Sequence, residues 1–308
     1  MKYILLCILF ALCLVAKELI TPIPTNIKYN QQKANIGKML FFDTILSKDR
    51  KISCASCHKP NNGWADKKDF SVGIFGAKDI VQTPTILNST FNFRQFWNGK
   101  AKNFKEQIDI TLHNPIEMGM TKILVEKRVN QSREYKDIFL KVYHKDFISY
   151  KMVIDTIIEF QKALTTPNAK FDLFLQNKAK LTTKERQGYR LFKKLGCITC
   201  HNGVNIGGNS FQKIGLIFKY NNCEADRYQL TKKEFDRCVY KVPTLRNIEL
   251  TAPYFHDASA KTLKKAIEYM AHYNLGYIIK DSEIESIESF LKTLTGKIQN
   301  TMSTSNGK

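Results

Sequence analysis

Two short runs of the form C-x-x-C-H constrain this chain more than any other feature of its sequence. They occupy residues 54–58 and 197–201. In such a run two thiols stand on one helical turn and can form thioethers with both vinyl groups of a haem, while the adjacent histidine reaches the iron. Two covalently bound haem c groups are therefore predicted. Their attachment residues are Cys54, Cys57 and His58 for the first haem, and Cys197, Cys200 and His201 for the second.

Two other kinds of site use cysteine pairs of this spacing. A structural zinc site can be built from two C-x-x-C pairs, but zinc does not explain why His58 and His201 directly follow both pairs. A thioredoxin-like redox site needs one pair within a βαβ unit, and no strand-like alternation surrounds either run. Covalent haem attachment is therefore the interpretation we adopt for both runs.

The separation of the two runs predicts two domains. A chain of 308 residues is long enough for two domains that each bury their own core. Because the runs lie about one domain length apart, one haem per domain is favoured over a multihaem chain with closely spaced motifs. A boundary near residues 165–168 divides the mature chain into residues 17–166 and 167–308.

The first residues have the pattern of a secretory signal peptide. Lys2 precedes an almost unbroken apolar run over residues 4–16, which is too short to span a bilayer comfortably. We expect residues 1–16 to be removed after Ala16. An uncleaved anchor is the alternative, and lipid attachment at Cys13 is disfavoured because Leu12 stands where a small residue is needed. No second hydrophobic segment follows, so no stable membrane insertion is expected after cleavage.

The four cysteines outside the haem runs form two groups. Cys7 and Cys13 lie in the leader and should leave with it. Cys223 and Cys238 remain, and in an exported protein they can pair as a disulfide that closes a short loop. Two free buried thiols are the alternative.

The formal net charge is +20, from 48 Lys and Arg residues against 28 Asp and Glu residues. A basic surface can attract acidic proteins, nucleic acid or lipid headgroups. The lysines are spread along the whole chain, with no dense basic block and no nucleic-acid motif. We therefore predict no nucleic-acid partner and derive no function from the charge.

Helical patterns dominate the rest of the chain. Capping boxes are predicted at Thr182 with Glu185 and at Ser282 with Glu285, and Gly296 can end the last helix. Further helices are predicted over residues 125–140 and 152–164. The last helix has an apolar stripe, formed by Ile284, Ile287, Phe290, Leu291 and Leu294. The expected fold class is mainly α, with two cytochrome c-like domains that each carry one covalently bound haem c.

Beyond the haem runs, the chain resembles the bacterial di-haem cytochrome c peroxidases and their relatives over nearly all of its mature length. The resemblance rests on IGKMLFFD at 36–43, TPTILN at 83–88, QFWNGK at 95–100, NPIEM at 114–118, VPTLRN at 242–247 and APYFHD at 252–257. It implies a peroxidatic haem on His58 in the N-terminal domain and an electron-entry haem on His201 in the C-terminal domain.

The resemblance also implies catalytic roles. Glu117 matches the family's acid/base carboxylate, and Gln107 the amide that holds peroxide. Splitting the O–O bond heterolytically requires a proton to move from one oxygen to the other, which a carboxylate above the haem can accomplish. Trp97 matches a tryptophan between the two haems, where it would assist electron transfer. Arg246 corresponds to a positive charge near the haems and is grouped with these catalytic residues.

For the second haem, the resemblance implies a sixth ligand at Met270. A methionine on an apolar helical stripe is otherwise ordinary core filling. Methionine ligation raises the reduction potential relative to two histidines, which suits an electron-accepting site. Tyr269 and Tyr273 flank Met270, and some relatives use tyrosine in this role, so both remain alternatives. His256 matches a residue that hydrogen-bonds a haem propionate.

The sequence departs from the family pattern at two places. Many relatives carry a histidine sixteen residues after the proximal one, which caps the peroxidatic iron at rest, whereas this chain has Ile74 there. Because isoleucine cannot bind iron, we expect a first haem that needs no reductive activation. A calcium ion is the further cofactor implied, with Gln82, Thr251 and Pro253 as candidate ligands, although Gln82 replaces the usual asparagine.

The predicted function is reduction of hydrogen peroxide in the periplasm. The expected partners are hydrogen peroxide and a small periplasmic electron donor, either a monohaem cytochrome c or a copper protein, and a homodimer is compatible with the resemblance. Two alternatives remain. One is a di-haem enzyme that oxidatively modifies a partner protein, which Ile74 favours. The other is a non-enzymatic electron carrier, in which Glu117 would have no purpose above a haem.

Overall fold

The computed structural model describes residues 18–298. The predicted signal peptide, with Cys7 and Cys13, lies outside the described residues. The described part is mainly helical and contains one two-stranded antiparallel sheet. No helix within residues 18–298 combines the length and the apolar character needed to cross a membrane.

The helices of the first half precede residue 165. They are α1 (Gln31–Phe42), α2 (Cys54–Cys57), α3 (Phe104–His113), α4 (Lys122–Gln131), α5 (Arg133–Tyr143) and α6 (Tyr150–Ala163). The second half contains α7 (Lys170–Leu175), α8 (Thr183–Lys194), α9 (Tyr228–Thr231), α10 (Leu263–Leu275) and α11 (Asp281–Lys292), with strands β1 (Phe211–Lys213) and β2 (Val239–Lys241). Short 3₁₀ helices span Thr44–Leu46, Pro60–Asn62, Ile74–Gly76, Ser89–Phe91, Cys197–Thr199, Glu234–Asp236 and Ile248–Leu250.

Each half is organised around one close helix crossing. In the first half α1 crosses α6, and a Cβ at Gly37 would lie 1.9 Å from the carbonyl oxygen of Thr156. In the second half α8 crosses α11, and a Cβ at Gly188 would lie 1.9 Å from the carbonyl oxygen of Ser286. Only glycine allows two helix backbones to approach this closely. The two halves therefore repeat one helical architecture, and each has its own apolar core.

A segment between the two crossing helices of each half also repeats. TPTILN ends at Asn88 and VPTLRN at Asn247, and both asparagines adopt left-handed backbone conformations with φ of 59° before a 3₁₀ helix. Their side-chain amides donate to the same hydroxyl, that of Thr166, at 2.8 and 2.9 Å. Thr166 itself is 1% exposed. The segment between the halves is thus a buried joint rather than a solvated linker.

The structure confirms the disulfide between Cys223 and Cys238. It closes a lobe that lies between β1 and β2, and β1 pairs with β2 from Phe211 opposite Lys241 to Lys213 opposite Val239. The alternative of two free thiols is excluded.

Several local predictions can be compared directly with the helices. The Thr182 and Glu185 capping box and the buried stripe of α11 are confirmed. The Ser282 and Glu285 box is wrong, because α11 begins at Asp281 and the carboxylate that accepts from the Lys280 N–H is Glu283. The helix predicted over residues 125–140 is interrupted at Ser132, whose hydroxyl accepts from the Tyr135 N–H and starts a new helix.

Candidate functional site

A cavity of about 620 Å³ extends through both halves of the described chain, a volume typical of a site for a small molecule or cofactor. Both C-x-x-C-H runs line it. The lining residues from these runs are Cys54, Cys57, His58, Cys197, Cys200 and His201. The fold therefore brings the two predicted attachment sites onto one continuous space, although they are distant in sequence.

The first run is held by local hydrogen bonds. The hydroxyl of Ser56 accepts from the Ser53 N–H at 2.9 Å, and the His58 N–H donates to the Cys54 carbonyl at 3.0 Å, so both thiols lie on the single turn of α2. The Nδ1 of His58 lies 3.2 Å from the Trp64 carbonyl oxygen. That contact places the ring proton on Nδ1 and leaves Nε2 as the ligating nitrogen.

The second run repeats this arrangement on the 3₁₀ helix Cys197–Thr199. The His201 N–H donates to the Cys197 carbonyl at 3.0 Å, and Nδ1 lies 3.4 Å from the Ile206 carbonyl oxygen. Burial lowers the pKa of His201 to about 4 and also lowers the pKa of His58. Both rings are therefore neutral at pH 7, which is the form that binds a metal.

The four thiols of the runs fit thioether formation better than zinc or redox chemistry. Burial raises the pKa of Cys54 to about 12 and the pKa values of Cys57 and Cys197 to about 11. None of the four is oxidised to a disulfide in the described chain. Over residues 18–298, no three His, Cys, Asp or Glu side chains come together as a metal-binding group. The residues present thus fit one covalently held haem c at each run.

Glu117 and Gln107 line the same cavity, in the half that contains His58. Gln107 projects from α3, and Glu117 lies in the turn that follows this helix. The Asn114 side-chain amide donates to Glu117 Oε1 at 2.7 Å. Burial raises the pKa of Glu117, and the Asn114 hydrogen bond partly opposes that rise. The carboxyl group can therefore gain and lose a proton closer to neutral pH than an ordinary glutamate.

Two further polar residues belong to this wall and were missed by the sequence analysis. The Gln107 amide donates to the Thr111 hydroxyl at 3.1 Å, and Thr111 and Asn114 both line the cavity. The contact between Gln107 and Thr111 could be expected from the sequence, since residues four apart share a helix face. Asn114 is the first residue of the NPIEM stretch, three positions before Glu117, so its position was also readable from the sequence.

Trp97 lies where the two halves meet. Its indole N–H donates to the Gln82 carbonyl at 2.8 Å, and its ring centroid is 6.2 Å from that of His256. His256 is buried, with Nε2 at 2.9 Å from the Asn222 carbonyl oxygen and its ring stacked on Tyr240 at 4.2 Å. Both Trp97 and His256 line the cavity. The pair therefore lies at the junction of the halves, on the cavity that both C-x-x-C-H runs also line.

Met270 lies on the face of α10 that lines the cavity, on the side of His201. It shares this face with Leu263, Ala266 and Ile267. Tyr269 and Tyr273, which are also described, are not among the cavity-lining residues. Of the three side chains considered as a sixth ligand, Met270 is therefore the one that faces the cavity.

Arg246 is not among the residues that line the cavity, and its predicted role near the haems stays a prediction. Its guanidinium is fully buried against Asp172, with which it forms an ion pair. It also donates to the carbonyl oxygens of Val204 and Thr21, both at 3.0 Å. Because protein acceptors on three separate segments occupy this side chain, it ties the N-terminal segment at Thr21 to the second half.

Ile74 is buried, and its side chain packs over Gly119 rather than into the cavity. Its N–H donates to the Glu117 carbonyl at 3.0 Å. At Gly73, a Cβ would lie 1.8 Å from the carbonyl oxygen of Ile116. The loop around Ile74 is thus fastened to the turn that carries Glu117.

The residues suggested for calcium also line the cavity. They are Gln82, Thr251 and Pro253. The Gln82 amide nitrogen donates to the Asp66 carbonyl at 3.3 Å, which leaves its amide oxygen available to a cation. Oxygen donors of this kind suit calcium.

Comparison with known proteins places the chain among di-haem enzymes. The family model described as di-haem cytochrome c peroxidase matches residues 31–180, and a cytochrome c model matches residues 186–295. The cytochrome c551 peroxidase of Nitrosomonas europaea is 44% identical over 286 residues, which is 92% of this chain and 86% of that protein. The cytochrome c551 peroxidase of Pseudomonas aeruginosa is 35% identical over 92% of this chain and 86% of its own length.

More distant relatives have other names. The methylamine utilization protein MauG of Methylophilus methylotrophus is 28% identical over 87% of this chain and 80% of that protein. Among solved structures, a MauG-like protein associated with microbial copper homeostasis superposes with a TM-score of 0.81 at 26% identity, covering 91% of this chain and 94% of that one. The two-domain helical architecture is thus shared with known di-haem proteins.

Proposed function

The chain belongs to the di-haem cytochrome c peroxidase family, and we propose that it reduces hydrogen peroxide to water with electrons from a small redox protein. It is an oxidoreductase that acts on peroxide. One hydrogen peroxide takes up two electrons and two protons and yields two waters. The observation that carries the proposal is the shared wall of Glu117 and Gln107 in the cavity that His58 also lines.

When bound at both runs, haem c supplies the iron that accepts and passes on electrons. His58 and His201 would hold the two irons through Nε2, and Met270 would be the sixth ligand at the second. The protein's own residues handle peroxide and protons. The Gln107 amide would hold the peroxide by hydrogen bonds, and Glu117 would take a proton from one peroxide oxygen and deliver it to the other.

The experiment that tests this assignment compares Glu117→Gln with Glu134→Gln. The first variant keeps the shape of the side chain but cannot carry the proton, so we expect kcat to fall by roughly 10²- to 10⁴-fold with both haems still bound. Glu134 is exposed on α5, and its variant should match the wild type. The readout is peroxide-dependent oxidation of a reduced monohaem cytochrome c. Wild-type turnover by Glu117→Gln would refute the assignment.

Electron entry through the second half completes the proposal. We assign residues 167–308 to the electron-entry domain and residues 17–166 to the peroxidatic domain, with Trp97 and His256 between them. His256 would also hold a haem propionate. The donor is a monohaem cytochrome c or a copper protein, and steady-state assays with each distinguish them. The predicted leader supports location in the periplasm, and mass spectrometry of the mature protein would distinguish cleavage after residue 16 from an uncleaved anchor.

A first haem that is ready for peroxide without prior reduction is part of the proposal. Its support is the buried position of Ile74, which offers no ligand to iron and packs away from the cavity. The oxidised protein should turn over peroxide immediately and show high-spin iron by electron paramagnetic resonance. A purely low-spin spectrum would exclude an open first haem.

Calcium binding and dimerisation are secondary parts of the proposal. Calcium would be held by the Gln82 amide oxygen and the carbonyls at Thr251 and Pro253, and chelation followed by metal analysis would test it. Light scattering of the purified protein would establish whether it forms a homodimer.

The second candidate function is oxidative modification of a partner protein, as the relationship to a methylamine utilization protein and the presence of Ile74 would allow. Oxidised protein with both haems bound but no donor-dependent peroxidase activity would favour it over peroxide reduction.

A further inference from the structure

Lys241 is a buried cation for which the peroxidase chemistry described above has no role. It ends strand β2, is 7% exposed, and lines the cavity. Its backbone N–H donates to the Trp97 carbonyl at 2.8 Å. The strand is therefore attached to the same junction between the two halves where Trp97 and His256 meet.

Within the described residues, the Lys241 ammonium has no protein counter-charge. Among residues 18–298, no carboxylate forms an ion pair with it and no acceptor hydrogen-bonds it. Burial lowers its pKa to about 8, and no neighbouring charge offsets this effect. Buried lysines are rare unless they are paired, because an isolated ammonium in a dry interior is costly. A matching anion must therefore come from whatever fills the cavity.

An internal repeat places Lys241 at the junction of the two parts of the cavity, here called compartments, that carry the first and the second C-x-x-C-H run. Lys241 occupies the position in the VPTLRN region that Gln82 occupies in the TPTILN region. The Gln82 N–H donates to the His256 carbonyl at 2.7 Å, and the Lys241 N–H donates to the Trp97 carbonyl at 2.8 Å. The two hydrogen bonds cross between the halves in opposite directions. Both side chains line the cavity at this junction.

The protein itself supplies few carboxylates to the cavity. Among the described lining residues, the acidic side chains are Asp79 and Glu117. Neither contributes to the pKa of Lys241. A haem c attached through its vinyl groups still carries two propionate carboxylates, which are the anions that both compartments would bring to the junction.

We propose that the Lys241 ammonium binds a haem propionate at the junction of the two compartments and raises the reduction potential of that haem. The proposal rests on the haem binding inferred above. Oxidation adds positive charge to a haem, and a nearby buried cation disfavours that form. Lys241 is thus a positioning residue that keeps one haem easier to reduce.

The test is a redox titration of Lys241→Met and Lys241→Gln, in which the absorption spectrum of the haems reports their oxidation state. We expect the equilibrium between oxidised and reduced haem to shift at least tenfold toward the oxidised form for one or both haems. For a one-electron couple, this shift lowers the reduction potential by about 59 mV. Lys241→Arg, which keeps the charge, should shift it less than threefold. Lys213→Met is the matched control, because Lys213 is an exposed lysine on the paired strand that also lines the cavity.

Two measurements keep the outcome decisive. Haem content per chain shows whether each variant binds both haems. If Lys241→Met does not, the test uses Lys241→Gln, because a glutamine, Gln82, already occupies the repeat-related position. The carboxylate bands in redox-difference infrared spectra should shift in Lys241→Gln. Unchanged potentials and bands in a loaded variant would overturn the proposal. These readouts do not require peroxide turnover, so a failed peroxidase assay would not be mistaken for a failed propionate contact.

Discussion

Glu117 illustrates how a single residue acquires its chemistry from its surroundings. Burial favours the neutral acid and raises its pKa, whereas the hydrogen bond from Asn114 favours the carboxylate. The balance between these two effects sets the pH range in which the Glu117 carboxyl group gains and loses its proton. A general base loses activity as the pH falls through its pKa.

Removing the Asn114 amide should shift this balance. In Asn114→Ala the charged carboxylate loses a donor, so the pKa of Glu117 should rise further. The acid limb of the kcat profile should then move to higher pH, with the plateau at high pH less affected. A pH–rate series on loaded protein measures this shift. An acid limb that stays in place, or moves to lower pH, would contradict the role of Asn114.

At the scale of elements, the loop over residues 71–79 and the turn over residues 114–119 act as one unit. Ile74 donates its N–H to Glu117, and its side chain packs over Gly119. The bridge between Val72 and Lys78 closes the base of the loop. The loop thus supports the turn that carries Glu117, and Ile74 does not line the cavity.

A histidine at position 74 should convert the first haem to a capped one. Ile74→His removes the apolar packing over Gly119, which frees the loop to turn toward the cavity, and introduces a side chain that can bind iron. We expect turnover by the oxidised protein to drop at least about tenfold, the free-energy equivalent of 1.4 kcal/mol, and to return after pre-reduction. Ile74→Ala is the control, because it loosens the same packing without adding a ligand. Equal behaviour of the two variants would show that packing alone is responsible.

At the scale of the whole molecule, one hydroxyl connects both halves. Thr166 accepts hydrogen bonds from the side chains of Asn88 and Asn247, which end the two repeated segments that run beside the proximal histidines. Thr166 also donates its backbone N–H to Asn88 at 2.9 Å. The joint between the halves is therefore buried and held by hydrogen bonds from both of them.

Replacing Thr166 by valine should destabilise the whole protein. Two buried amides would lose their acceptor, each at a cost of about 1–3 kcal/mol in the free energy of unfolding. Thr295→Val is the matched control, because the buried hydroxyl of Thr295 has no hydrogen-bond partner and its loss should be neutral or stabilising. Urea unfolding of loaded protein gives both values. Equal destabilisation by the two variants would rule out the proposed role of Thr166.

Part of this description was predictable from local sequence. The C-x-x-C-H runs, the Thr182 capping box and the stripe of α11 each depend on residues within one or two turns, and helical spacing specifies them. The break at Ser132 was missed because a serine hydroxyl competes with helix continuation in a way that periodicity does not register. The second capping box was placed two residues late for a related reason, since Ser282 resembles a cap but lies inside the first turn.

The sequence alone determined the two haem runs and the helical class of the fold, and it made a disulfide between Cys223 and Cys238 the expected pairing, which the structure confirmed. These follow from covalent chemistry and short-range spacing. Only the tertiary structure decided that Arg246 belongs to a buried ion pair with Asp172, that Met270 faces the cavity, and that Lys241 lacks a partner. Burial and charge pairing depend on segments far apart in the chain, so their outcome is set only when those segments pack together.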